Sequence, residues 1–266
     1  MAEGSATASS RNKGFTKYLS TPWAIVPACF LALFGLRAVL QAFRIPSGGM
    51  YPTLVIEDHV FASKLAYGVF ENGVPARGDV VVFEYPYSED DRRTSYAQRV
   101  IGLPGDTLAV EEGHAIINGW RVPSCHVAEI KVELTPGQVA NHDLYVEFLD
   151  GAAYLVTVEQ VENLGSKGPF VVPEGAVFTL GDNRNNSYDS RAWRGGKGGG
   201  VPLDHIEGRV TFVWWSSPLS SRFGVFIHGK PTLPPLEPSP QAALDGCLAK
   251  RPPTEKTRPP PAKAER

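Results

Sequence analysis

The sequence predicts a mainly β protein: an antiparallel β-sheet domain with a small variable insertion, on one N-terminal transmembrane helix. Three observations predict it. Glycine (27) and proline (23) are both abundant among the 266 residues, a composition that suits many turns. Beyond residue 43, short runs rich in β-branched and aromatic residues recur with turn signals between them. After one apolar segment near the N-terminus, no long amphipathic helix pattern follows.

In chain order, residues 1–20 are rich in Ser, Thr, Gly and Ala and carry Arg11, Lys13 and Lys17. They predict a short disordered cytoplasmic arm. Residues 21–43 read as the anchor. The run from Trp23 to Leu36 is uncharged, and with Arg37 snorkelling to the interface it extends to the roughly 20 residues that cross a bilayer. A cleavable signal peptide is the competing reading, but "LQAFRIPSGGM" offers a poor cleavage context. Basic residues before the span favour a cytoplasmic N-terminus, while Arg37 and Arg44 beyond it count the other way.

Residues 44–230 form the expected β domain. Its strand-like runs are "HVFASKL", "DVVVFEYP", "SYAQRVIG", "HAIING", "AAYLVTVE", "AVFTLGD" and "GRVTFVWW". Turn signals at Pro75, Gly78, Pro104-Gly105, Asn118-Gly119 and Asp150-Gly151 separate them. Residues 121–170 are more irregular and read as an excursion from the main sheet. Residues 231–266 are Pro-rich with scattered Lys and Arg, which predicts a disordered tail; its "PPLEP" and "RPPPAK" stretches suit a polyproline-reading partner less well than open solvent.

Composition excludes some functions. A formal net charge of -2 and a pI near 6.3 give no electrostatic case for nucleic acid as a partner. No Cys/His/Asp/Glu cluster has metal-ligand spacing, so no metal or other cofactor is expected. With Cys29 in the apolar run, Cys125 and Cys247 are the one plausible disulfide pair, and a bridge or two free thiols are both open. "RGGKGGG" from Arg194 lacks phosphate-loop spacing and reads as a flexible inserted loop. Trp214, Trp215, Phe223 and Phe226 suit either a membrane-contacting patch or strand packing.

Three stretches carry the chemistry: "IPSGGMYPTL", "YAQRVIGLPGD" and "GDNRNNSYDSR". Together with "RGDVVVFEYP", and following a candidate span, they resemble the type I signal peptidases, membrane-anchored serine proteases with a Ser/Lys dyad. The resemblance runs from the anchor to about residue 230. It implies that the nucleophile position is Gly49 and the general-base position is Gln98. It also implies an oxyanion-holding hydroxyl at Ser47, an orienting serine at Ser187 and a supporting pair at Asp189 and Arg191. Ile45, Pro46, Met50, Tyr96 and Ala97 match the groove that receives substrate as an added β-strand. Asn185 stands where aspartate is frequent.

Both dyad positions therefore lack their chemistry. Glycine cannot form an acyl-enzyme, and glutamine's amide is no usable base. No desolvated lysine remains to be buried, and Gln98 is a candidate partner for Ser187. Lys64 reads as a structural or surface lysine, and His59, His114, His126 and His205 as scattered loop or surface residues. The expected function is a catalytically impaired homologue on the extracytoplasmic face of the bacterial inner membrane, meeting lipid and binding signal peptides or exported preproteins without cutting them. An active signal peptidase with a rewired nucleophile and a structural subunit of an export complex are the alternatives.

Overall fold

The computed structural model describes residues 22–67, 73–88, 94–135, 137–162, 164–217, 220–236 and 238–261. The expected arm over residues 1–20 lies outside them. The described residues fall into two units, divided between Leu40 and Gln41.

The first unit is helix α1 (Pro22–Val39), with Pro27 inside it and Arg37 in its last turn. Among the described residues no helix is long and apolar enough to cross a membrane. The expected span over residues 21–43 is also shortened at its end, because strand β1 (Leu40–Arg44) replaces helix there. Next to it the Ile45 N–H donates to the Asp58 carbonyl at 2.8 Å. Ladder bonds to a neighbouring strand satisfy this backbone in place of a further helical turn.

The second unit holds three antiparallel sheets. The largest has seven strands: β1, β2 (Asp58–Ser63), β14 (Ile206–Ser216), β3 (Val80–Glu84), β4 (Ser95–Gly102), β12 (Ala176–Leu180) and β13 (Val201–Pro202), in that spatial order. A second sheet runs β11 (Ser166–Val171), β5 (Thr107–Glu111), β6 (His114–Ile117) and β7 (Trp120–Arg121). The third runs β10 (Ala152–Glu159), β9 (Gln138–Leu149) and β8 (Ser124–Thr135).

The run "VVVF" in β3 is apolar on both sides for a reason. β3 lies between β14 and β4, and side chains alternate across a strand. Val80 and Val82 join one core with Ile45, Met50, Leu54 and Val210. Val81 and Phe83 join another with Val100, Val177 and Trp193. A strand covered on both faces reads as continuous apolar sequence. The quoted dipeptides turn hairpins as expected. Asn118-Gly119 joins β6 to β7 with φ of 54 and 81°, and Asp150-Gly151 joins β9 to β10 with φ of 46 and 77°. Two successive positive φ values match the strand twist of a two-residue hairpin.

Two expectations fail. Residues 121–170 are not irregular: β8 and β9 form a long ribbon with 12 residues in each strand. Its polar residues alternate with an apolar set in which Val132, Leu144, Val146 and Phe148 are buried on one face. The described part of the tail from residue 231 is ordered as well. Helix α2 (Gln241–Ala249) lays Leu244 and Cys247 on that buried face, with Leu233, Leu236 and Leu248 beside them. Cys125 and Cys247 form a disulfide across a separation of 122 residues. Farther on, the buried Thr257 accepts from the Asp150 and Gly151 N–H groups at 2.8 and 3.1 Å, through its carbonyl and hydroxyl respectively. Proline richness signalled disorder, but the tail's leucines had an apolar sheet face to cover. "RGGKGGG" follows the fully buried Trp193 and begins with Arg194 and Gly195 in the left-handed region, at φ of 55 and 69°.

The third sheet is joined to the loop after β12 by a buried ion pair. The Arg184 guanidinium donates through both Nη atoms to the Glu147 carboxylate of β9, at 3.0 and 2.6 Å. Burial alone would raise the Glu147 pKa, but Arg184 and His114 outweigh it and hold the carboxyl down at about 2.

Two outcomes follow from these ties. Replacing Cys125 and Cys247 with serine is expected to lower stability by about 2–5 kcal/mol, read from guanidinium denaturation, and to speed trypsin cleavage after Lys250, at the end of α2. Because the folded Glu147 pKa lies below its ordinary value of 4.5, its contribution is complete above that value and is lost as pH falls toward 2. Acid unfolding of Glu147→Gln should therefore be flatter below pH 4.5 than that of the parent, while Arg184→Met, which strands a buried carboxylate, should cost about 3–5 kcal/mol at neutral pH.

Candidate active site

The three quoted motifs converge on one cleft of about 480 Å³. One wall comes from the end of β1 and the following loop: Ile45, Pro46, Ser47, Gly49 and Met50. The other comes from β4: Tyr96, Ala97 and Gln98. Ser187, from the loop after β12, closes the end. The structure thus brings together nine of the positions named from sequence. Asp189 is buried and Arg191 half-buried outside the lining, and Lys64 and the four histidines named above line no part of the cleft.

A short 3₁₀ turn (Gly48–Met50) presents Gly49. The Gly49 carbonyl accepts from the Asn183 N–H at 3.0 Å, which ties the first motif to the third. Gly49 does not sit in the left-handed region, and a Cβ built there would lie 3.4 Å from the Asn186 carbonyl and 3.6 Å from Ser187 Oγ. These are ordinary contacts, so neither backbone nor packing demands glycine here. Gly181 is the opposite case. A Cβ there would collide with the Ser187 hydroxyl and the Gly49 carbonyl. The bare backbone at Gly181 lets the third motif approach the first.

Gln98 is buried on β4, and each end of its amide is bound once. Its Nε2 donates to the Tyr188 carbonyl at 2.9 Å, and its Oε1 accepts from the Thr179 hydroxyl at 2.8 Å. The expected Gln98–Ser187 bond is absent among the described residues. Thr179 and Tyr188 orient the amide instead. Thr179 in turn packs on Ser190 Oγ at 3.2 Å.

Two ion pairs hold the floor. Asp189 receives Arg191 Nε and Nη2 at 2.8 and 2.6 Å and the Gly181 N–H at 3.0 Å. Arg99, beside Gln98, donates from Nε and Nη2 to Asp182 at 2.8 and 2.5 Å. The same guanidinium reaches the Gly78 carbonyl at 2.7 Å and Thr53 Oγ1 at 3.1 Å. Arg99 also lies over the Tyr154 ring at 4.3 Å. Asn185 uses its side-chain oxygen to accept from the Glu159 N–H at 2.9 Å, anchoring the loop to β10.

Sequence reasoning named the motif but not all of its working parts. Arg99, Asp182 and Arg184 stand inside the quoted stretches, so their signal was present. Glu147, Thr179 and the buried Asp58–Arg222 pair (2.7 Å) carry no local pattern that marks them. Phe223 and Phe226 are exposed, as is Trp215, while Trp214 is half-buried against Phe61 and His59.

Chemically, the cleft offers hydroxyls, amides and apolar side chains. Among the described residues, its lining contains no Lys, His, Asp or Glu, and its one charge, Arg44, pairs with Glu57 at 2.5 and 3.0 Å. Comparison with known proteins gives the family of the chain. The family model "Signal peptidase, peptidase S26" matches residues 18–215. Signal peptidase I of Pseudomonas aeruginosa is 36% identical over 208 residues, covering 72% of this chain and 70% of that protein. Signal peptidase I of Aquifex aeolicus is 30% identical over 218 residues, covering 71% and 81%. A crystal structure of a signal peptidase I from Enterococcus faecalis V583 shares 27% identity, covers 52% of this chain and 97% of that one, and overlays with a TM-score of 0.29, too low to bear on the fold. On the extent of the family match and the Pseudomonas identity, this chain belongs to the signal peptidase family, peptidase S26.

Proposed function

We propose that this protein is a signal-peptidase homologue that binds signal peptides or exported preproteins as an added β-strand and does not cut them. One observation carries the reading. The cleft ends at Gly49, which has no nucleophile, and among the described residues its lining holds no side chain able to act as a general base. Backbone pairing to an extended peptide needs neither group. Ile45, Met50, Val82 and Ala97 supply an apolar floor for alternate side chains. The apolar N-terminal segment supports an anchor in the bacterial cytoplasmic membrane, with the β domain on the extracytoplasmic side and the exposed Trp215, Phe223 and Phe226 toward lipid.

An active enzyme with a rewired nucleophile is the second reading, and one pair bears on it. Ser95 Oγ donates to Glu207 at 2.6 Å. This pair is solvent-exposed, and its carboxylate also accepts from Gln41 at 3.2 Å. A solvated carboxylate is a weak base for a serine hydroxyl. Ser47 and Ser187 have no basic partner among the described residues.

Incubation of the purified protein with a preprotein is expected to yield no mature product, since losing a nucleophile or its base costs about 10⁶ in turnover. Gly49→Ser combined with Gln98→Lys is expected to restore cutting, because the space beside Ser187 accepts a side chain at Gly49. Cleavage by the parent protein that Ser47→Ala or Ser95→Ala abolishes would overturn the proposal. Loss of uncut-peptide binding in Ala97→Trp separates a working groove from a purely structural subunit.

A further inference from the structure

The absence of a side chain at Gly49 does more than remove a nucleophile; it changes which ligand end the cleft suits. We propose that the cleft preferentially holds an apolar peptide terminating in a free carboxylate, the chemistry of a cut leader fragment, rather than a chain that continues past the site. This rests on the peptide-groove reading above.

A carboxylate presents two charged oxygens where an internal peptide bond presents one neutral carbonyl. In a serine protease the nucleophile's side chain stands against the carbonyl carbon and crowds a second oxygen. Here Gly49 leaves that place open, bounded by Ser187 Oγ and the Asn186 carbonyl at 3.6 and 3.4 Å from where a Cβ would be. The Ser187 hydroxyl lines the cleft and donates to no acceptor among the described residues. Ser47 is exposed in the same lining and adds a second hydroxyl. The Asn186 carbonyl is an acceptor, so it directs the second oxygen toward Ser187.

Charge in the lining agrees. It contains no Asp or Glu that would repel an anion, and Glu57, the partner of Arg44, stands outside it. Gln98 is bound at both ends, to Tyr188 and Thr179, so its amide adds no competing charge and is not free to swing in. Two hydroxyl donors facing a charged acceptor form the stronger class of hydrogen bond.

The test uses the full-length protein and three fluorescent probes in an anisotropy titration. One is an octapeptide of alternating small and apolar residues ending in alanine with a free carboxylate. The second is its C-terminal amide, and the third continues for four more residues. The acid is expected to bind about tenfold tighter than the amide, the effect of one hydrogen bond to a charged group. Ser187→Ala should bring acid and amide to within about twofold of one another, and Gly49→Ser should narrow the preference for the acid. Equal affinity for acid and amide, or tighter binding of the continuing peptide, overturns this inference and leaves the groove reading standing. Failure of all three probes to bind overturns both.

Discussion

The bidentate ion pair between Arg99 and Asp182 is the constraint on which the rest of the site depends. It is buried on all sides, and its guanidinium collects Gly78, Thr53 and the face of Tyr154 as further partners. Thr53 also donates to Asp182 at 2.5 Å. One side chain thereby ties together the loop after Met50, the entry to β3, strand β4, strand β10 and the loop after β12. A buried pair of this kind adds little net stability once desolvation is counted, but losing one partner strands a charge. Its contribution here is geometric: it fixes where Gln98, Gly49 and Ser187 stand relative to one another.

That framework explains how the cleft keeps its shape with Gly49 and Gln98 at the positions where the resemblance implies a dyad. Neither residue is part of the Arg99–Asp182 network, and Gly49 joins the third motif through its backbone carbonyl alone. A catalytic lysine at position 98 would need to be desolvated and neutral, a costly arrangement with no return once the nucleophile is gone. Glutamine at this buried position finds one donor and one acceptor instead, both at ordinary distances. The polar group is satisfied and the strand keeps its register with β3, where Gln98 opposes Val81. The shape of the cleft thus does not depend on a serine or a lysine at these two positions.

The insertion and the tail form one structural system. The β8–β9 ribbon has an apolar face too large to leave in water, and the C-terminal segment covers it with Leu233, Leu236, Leu244 and Leu248. The disulfide from Cys125 to Cys247 closes this arrangement covalently, and Arg184–Glu147 connects it to the loop that carries Ser187. The insertion is thus linked to the loop that carries Ser187 through this buried pair and through the backbone bonds of Thr157 to Asp182 and Arg184, both at 2.9 Å.

Much of this was legible in the chain. Runs of strand-type residues bounded by turn signals placed β4 and β10 at the residues they occupy, and the Asn-Gly and Asp-Gly pairs marked turns because few other residues accept two positive φ values. The three motifs located the cleft, and residue identity alone settled that a nucleophile and a base are missing from the positions the resemblance implies. Tertiary structure decided the remainder. Glu147 is an acid in an alternating strand until Arg184, 37 residues away, makes it a buried partner. The tail is Pro-rich sequence until a distant apolar face gives its leucines somewhere to go. Gln98 is a plausible partner for Ser187 until Thr179 and Tyr188 occupy both ends of its amide. Local patterns report on backbone conformation and side-chain type, which neighbours in sequence control. Pairing across the fold depends on which groups share a desolvated space, and only the assembled chain determines that.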